Sequence, residues 1–351
     1  MKFETTKIKS NLKTINCIDT DILYLDVKAN KMYLSSSNTA MEMNIEFTDV
    51  LDEKVFVLNK TDFLHIVQYA DVVELNSDYS YKANVAKGKF EHNDTFEDVL
   101  ESIKINFDKS SSYKDLFEIT EDNYEKLVNA SIFVKPSDVN ASNRFLNIQN
   151  GYIFSASDYR IYFNKIDIDT DSMIHGDILQ NIFTLGVGTK VKSNEDSIFI
   201  TKDDVSVYYS TMRDVDFLPL LSEKFQTRIN GIMNDVSTIK FNTNEFVEKL
   251  KFIDFYSKNN PNSLVCLKED EGKLKLVASE NATIVVDSIE SEYKEEGEFN
   301  LPFNSNCALD MLLKVGKNYE EFTLHASKDN SNKLFIFDFG DEKTIFTKLN
   351  V

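Results

Sequence analysis

Side chains able to do metal, redox or nucleophilic chemistry are few in this chain and widely scattered. The three cysteines are Cys17, Cys266 and Cys307, and the four histidines are His65, His92, His175 and His325. No CxxC pair occurs, and the histidines lack the short spacings at which metal ligands cluster. An odd number of distant cysteines fits reduced thiols rather than a disulfide framework. There is no nucleophile elbow, phosphate-binding glycine loop, HExxH helix or dinucleotide fingerprint. Acidic pairs such as Asp203 and Asp204 are ordinary in a chain with 58 acidic residues. The sequence reads as a protein without catalysis, cofactor or metal.

What remains is binding, and the bulk properties limit its kind. The 351 residues suit two or three domains rather than one core. With 42% apolar and 28% charged residues, the composition is that of a soluble globular chain. No apolar run approaches the roughly 20 residues of a membrane helix. The start, Met1-Lys2-Phe3-Glu4-Thr5, has neither the basic residues nor the apolar segment of a secretion signal, so a cytoplasmic protein with no membrane partner is expected. The net charge of −19 opposes nucleic acid unless the basic residues gather on one inner surface. Only 4 prolines and 10 glycines argue against long linkers, while 27 Phe and 15 Tyr favour strands. The most polar stretch, residues 108–115, reads as a connector.

The elements that must position any binding residues occur three times over, in the same order. Three similar openings begin at Phe3, Phe117 and Ile239. Each is a short alternating strand, then a Thr, Asp or Asn suited to cap a helix, then an amphipathic helix. Ile8, Leu12 and Ile15 share a face in the first. A strand running into small polar residues recurs at Met32–Ser37, Tyr152–Ser157 and Lys275–Ser279. A second helix is expected over residues 59–70, 175–185 and 304–315. Phe63, Val67 and Ala70 form its apolar face in the first copy, and Leu309, Leu312 and Leu313 in the third. Alternating strands such as Lys333–Phe339 close each copy. The pattern predicts an α+β chain of three tandem copies, over 1–110, 115–222 and 236–351, with helices on one side and sheets on the other.

Two stretches carry a family resemblance. Phe154-Ser155-Ala156-Ser157-Asp158-Tyr159-Arg160-Ile161-Tyr162 resembles the Ala-Thr-Asp-Gly-His-Arg-Leu-Ala segment of the bacterial β sliding clamps, one residue shorter. Pro302-Phe303-Asn304-Ser305-Asn306-Cys307-Ala308-Leu309-Asp310-Met311-Leu312 is similar to the family's Phe-Asn-x-x-Tyr-Leu-x-Asp-x-Leu helix start, with Cys307 in place of the aromatic. Asp216-Phe217-Leu218-Pro219 resembles its interdomain linker. The divergence fits a phage-encoded member as well as a cellular one. The resemblance implies a head-to-tail homodimer whose six clamp domains ring duplex DNA, helices lining the channel and sheets outside. It also implies a processivity role, tethering a DNA polymerase and a clamp loader through a short peptide. The matching peptide-pocket positions are Ser157, Tyr159, Arg160, Ile161, Pro219, Asn304 and Cys307, completed by Ile345, Thr347 and Leu349 of the tail.

Within that frame, basic residues on the helices are the candidates for the channel: Lys7, Lys13, Lys249, Lys251, Lys314 and Lys317, with Lys135 and Arg144 around a loop. Contacts there should be to phosphates, because a clamp must slide. For the ring interface, Phe252 and Phe255 fall on the side of their helix opposite Phe246, Leu250 and Ile253. The alternating Ile103, Ile105 and Phe107 predict an edge strand as their counterpart. The alternative is a clamp-like repeat scaffold that does not encircle DNA; oligomeric state and retention on circular DNA separate the two.

Overall fold

A computed structural model describes the chain except residues 92–96, 158, 195–196, 211–226, 228–230, 233–235, 258–262, 271–272, 280–282, 286–288, 290–298, 328–332 and 350–351. The first pass runs β1 (Lys2–Glu4), a broken helix of α1 (Thr6–Ser10) and α2 (Leu12–Asn16), β2 (Ile22–Asp26), β3 (Lys31–Ser35), β4 (Thr39–Asn44), β5 (Phe47–Thr48), β6 (Val55–Asn59), α3 (Lys60–Tyr69), β7 (Val72–Leu75), β8 (Ser80–Ala83) and β9 (Lys87–Lys89). A connecting helix α4 (Glu97–Asp108) and a 3₁₀ turn (Lys109–Ser112) follow. The second pass is β10 (Lys114–Glu118), α5 (Glu121–Ser131), β11 (Phe145–Gln149), β12 (Tyr152–Ser157), β13 (Arg160–Lys165), β14 (Ser172–His175), α6 (Gly176–Leu185), β15 (Lys190–Ser193), β16 (Ser197–Lys202) and β17 (Val205–Ser210). The third is β18 (Val236–Asn242), α7 (Thr243–Ser257), β19 (Leu264–Asp270), β20 (Lys273–Ser279), β21 (Thr283–Val285), β22 (Asn300–Asn304), α8 (Ser305–Lys314), β23 (Glu321–Ser327), β24 (Leu334–Asp338) and β25 (Lys343–Thr347).

Local chemistry starts four of these helices. The side chains of Asn59, Asn242 and Asn304 accept from the amides of Asp62, Glu245 and Cys307, each satisfying a donor that the first helical turn leaves unpaired. Thr120 and Asn123 exchange side-chain and backbone bonds in both directions. Thr5 differs: its hydroxyl donates to the carbonyl of Ala70, tying the start of α1 to the end of α3. The break between α1 and α2 falls at Asn11, whose amide donates 2.9 Å to the Lys7 carbonyl.

Strand pairing divides the chain into two compact units, Met1–Tyr124 with Asp177–Asp216, and Glu125–Gly176 with Phe217–Val351. The boundary cuts the second pass because its strands join two different sheets. In the first unit an eight-stranded sheet has the order β10-β15-β16-β17-β4-β3-β2-β6, and a five-stranded sheet the order β5-β1-β7-β8-β9. In the second unit the orders are β14-β11-β12-β13-β25-β24-β23-β18 and β21-β20-β19-β22. Each long sheet thus has a seam where strands of different passes meet antiparallel, Tyr208 opposite Ala40 in one and Ile161 opposite Ile345 in the other.

Phenylalanine accounts for much of the core, as its abundance suggests. In the first unit Phe63 of α3 stacks on Phe3 of β1 at 5.9 Å. In the second, Phe246 of α7 meets Phe322 edge-on at 5.2 Å, and Phe335, Phe337 and Phe346 pack beside them.

Two expectations are corrected. The alternation at Ile103, Ile105 and Phe107 predicts a strand, but these residues lie on α4. Ile103 and Phe107 face the sheet while Ile105 is 50% exposed, because Leu100, Ile103 and Phe107 also obey the helical period and a five-residue alternation fits both patterns. On α8 the buried stripe is Ala308, Met311, Leu312 and Val315, with Leu313 turned outward. The same 3–4 spacing serves both stripes, and packing against α7 selects one.

Candidate nucleic-acid and partner interface

Both Lys7 on α1 and Lys13 on α2 are exposed. Lys7 reaches across to Asp204 at 2.7 Å, and the Lys7 hydrogen bond holds that carboxyl below its ordinary value. In the second unit α7 and α8 are packed together, which places Lys249, Lys251 and Lys314 on neighbouring helices. Lys249 pairs with Glu245 and Lys314 with Asp310, each one helical turn away at 2.7 Å. Lys251 is exposed, as is Lys317 in a 3₁₀ turn (Gly316–Asn318) after α8.

Lys135 and Arg144 share one loop after α5. The Arg144 Nε donates 2.6 Å to the Asp138 carbonyl, and the Lys135 amide to the Asn143 carbonyl. Gly176 lets this loop close in, since a Cβ there would sit 2.5 Å from Pro136 Cγ. Several candidate cations are therefore already matched by local acids or carbonyls.

The peptide-pocket candidates converge on the seam of the second unit, apart from Pro219, which lies outside the described residues. Thr347 donates its amide to the Tyr159 carbonyl, and Leu349 to that of Pro302. Ile161 and Ile345 face each other across β13 and β25 and share a cluster with Phe154, Phe163, Ile232 and Ile336. Asn304 is occupied in capping α8.

Arg160 is 9% exposed. Its Nη1 lies 2.7 Å from Asp310 and donates 3.0 Å to the Cys307 carbonyl, and its Nε faces the Ser157 hydroxyl at 3.3 Å. The guanidinium also covers the Phe133 ring at 4.8 Å. Burial pushes the Asp310 carboxyl up, but the bonds from Lys314 and Arg160 outweigh it and hold the group low. Arg160 thus ties β13 of the second pass to α8 of the third. Tyr159, Ile161, Cys307, Thr347 and Leu349 keep partial exposure around it.

Sequence reasoning missed a second tie across this seam. Glu342, in the turn between β24 and β25, is buried and accepts from Asn129 at 3.0 and 3.1 Å and from the Tyr162 hydroxyl at 2.9 Å. Burial raises its carboxyl above the ordinary range, although those hydrogen bonds work against the rise. A Glu in an acidic, Gly-containing turn gives no sequence signal of burial. Also missed was an exposed ring pair on α3, where His65 and Tyr69 sit one turn apart with centroids 5.6 Å apart and Tyr69 59% exposed. The i, i+4 spacing of two rings on a polar helix face was the available clue.

On α7, Phe252 and Phe255 are exposed as the helical period requires, at 56% and 68%. Tyr256 joins them, 5.5 and 5.3 Å from their ring centroids. The three rings form one contiguous exposed aromatic patch on α7.

Among the described residues there is no group of three His, Cys, Asp or Glu placed to hold a metal ion, and no helix long and apolar enough to cross a membrane. No protein-family model matches the chain, and no curated protein is significantly similar in sequence. Solved structures do match. A Helicobacter pylori β clamp bound to a DNA ligase peptide superposes with a TM-score of 0.75 at 16% identity, covering 100% of this chain and 99% of its own. The Bacillus subtilis DNA polymerase sliding clamp gives 0.75 at 12% identity, covering 100% and 98%. The Pseudomonas aeruginosa sliding clamp gives 0.77 at 12% identity, covering 100% and 99%. End to end, the chain has the fold of the bacterial DNA polymerase III β subunits.

Proposed function

From a sliding-clamp fold that spans the whole chain, we propose that this protein is a DNA sliding clamp, a non-enzymatic ring that encircles duplex DNA and tethers a polymerase. The observation that carries the reading is the pair of strands left at sheet ends. Each seam joins the last strand of one pass to the third long strand of the pass before it, β17 to β4 and β25 to β13. Among the described residues the same rule leaves β9 and β21 unmatched, and both are end strands of their sheets. Such edges call for a partner. A second copy supplies both, head to tail, and two such contacts close a ring instead of growing a filament. Three domains per chain, over 1–110, 115–222 and 236–351, then give six around the channel.

The aromatics of α7 fit this closure. Setting Leu250 against Leu127 of α5 aligns Ile253 with Ala130, Phe252 with Asn129 and Tyr256 with Phe133. Asn129 and Phe133 are buried at the seam within the chain, whereas Phe252 and Tyr256 are exposed. The partner's first-pass helix, with His65 and Tyr69, is the surface assigned to cover them. Lys7, Lys13, Lys135, Arg144, Lys249, Lys251, Lys314 and Lys317 are the proposed channel cations. The partly exposed Tyr159, Ile161, Cys307, Thr347 and Leu349 form the proposed groove for a short apolar peptide of the polymerase or clamp loader. A replication role of this kind places the protein in a cytoplasm.

The test is retention. On nicked circular DNA loaded by a cognate or heterologous loader, the protein should stay bound through gel filtration and slide off once the circle is linearised. Light scattering should give a dimer. A monomer that is never retained on circles would sink the reading and leave a clamp-like scaffold.

A further inference from the structure

The two seams can be registered strand by strand. In the first unit one cross-strand row is Ser35, Ala40, Tyr208 and Phe199. In the second the matching row is Ala156, Ile161, Ile345 and Ile336. In the first row Ala40 and Phe199 are buried and Ser35 and Tyr208 partly exposed. Helix α4 lies over this row, touching β3 of the first pass and β17 of the second. Leu100, Ile103 and Phe107 of α4 form one buried cluster with Tyr24, Tyr33, Ala40, Val57 and Phe199, and Tyr208 packs against its rim. The Phe107 ring sits 6.1 Å from Tyr33 and 6.0 Å from Phe199, so a single side chain grips both sides of the seam.

Polar contacts fix the same segment at each side. Lys104 of α4 reaches the buried Asp26 at the end of β2 at 2.7 Å, and Asp26 also accepts from the Ala29 amide at 3.0 Å. Just beyond α4, the Tyr113 hydroxyl bonds Ser197 of β16 at 2.7 Å. The connector is therefore anchored to the first pass through Asp26 and to the second through Ser197. It is far more than the polar linker that residues 108–115 suggest.

We infer that α4 is a strap that locks the β4–β17 seam, so that these two strands separate only after the helix undocks. The lock does not depend on DNA encirclement. Under the clamp reading it directs ring opening away from this seam and toward the open edges between chains.

Hydrogen exchange on the full-length chain tests it, with the β13–β25 seam as internal reference. Phe107→Ala should speed exchange of the β4 and β17 amides at least about tenfold while β13 and β25 keep their wild-type rates. Wild-type exchange at β4 and β17 would overturn the inference, and so would equal acceleration at both seams, which would mean general destabilisation. If Phe107→Ala fails to fold, Lys104→Met, which keeps the apolar contacts of α4, is judged by the same comparison. The DNA-retention assay reads a different property, so failure of one idea is distinguishable from failure of the other.

Discussion

Replacing Arg160 with methionine separates a clasp from a ligand-reading residue. The side chain is 9% exposed and holds Asp310, the Cys307 carbonyl and the Phe133 ring. Methionine keeps most of the apolar stem and removes only the guanidinium. The charge-assisted bond to the part-buried Cys307 carbonyl is worth about 1.5–3 kcal/mol. Loss of the cation–ring contact adds about 0.5–1 kcal/mol. Asp310 is one-third exposed and retains Lys314 at 2.7 Å, so its share is under about 1 kcal/mol. The sum is about 3 kcal/mol, which lowers Tm by roughly 6–12 °C for a body of this size. Calorimetry at neutral pH reads this directly. A double-mutant cycle with Asp310→Asn should show a coupling of roughly 0.5–1 kcal/mol. A Tm within about 2 °C of wild type, together with weakened binding of a polymerase-derived peptide, would refute the clasp and place Arg160 in the groove.

Glu342→Gln should stabilise the second unit. The folded carboxyl is raised by burial, so its favourable contribution is complete below the ordinary Glu value and lost as pH rises through the folded one; the gain should be full at pH 8 and vanish near pH 4 in thermal melts. Asp338 behaves in the opposite sense. Burial raises its carboxyl, but bonds from His325, Lys343 and the Gly340 amide outweigh this and bring it to about 2. Asp338→Asn should therefore cost on the order of 2 kcal/mol at neutral pH, with the difference from wild type fading between about pH 4 and pH 2 in urea titrations. The pair Phe252→Ser and Tyr256→Ser should convert the dimer to a folded monomer by light scattering and abolish retention on circles. An unchanged dimer would remove α7 from the interface.

The repeated order of elements is legible in the sequence, because each pass announces itself by local chemistry. Alternating residues make strands, and Asn or Thr ahead of an apolar stripe starts a helix, as at Asn59, Asn242 and Asn304. The outward turn of Phe252 and Phe255 followed from helical period alone. Short patterns were not decisive: residues 103–107 fit strand and helix alike, and two stripes competed on α8.

The sequence by itself determined most of the elements and their order, since these depend on residues within a few turns of one another. Tertiary structure alone decided how the second pass divides between two sheets, that α4 covers a seam, and that Arg160 and Glu342 spend their polar groups across another. Those outcomes rest on partners such as Asp310 and Asn129, which lie 150 and 213 residues away. Pairing at that range is selected by the burial and hydrogen-bond satisfaction of the whole sheet, which no local pattern encodes.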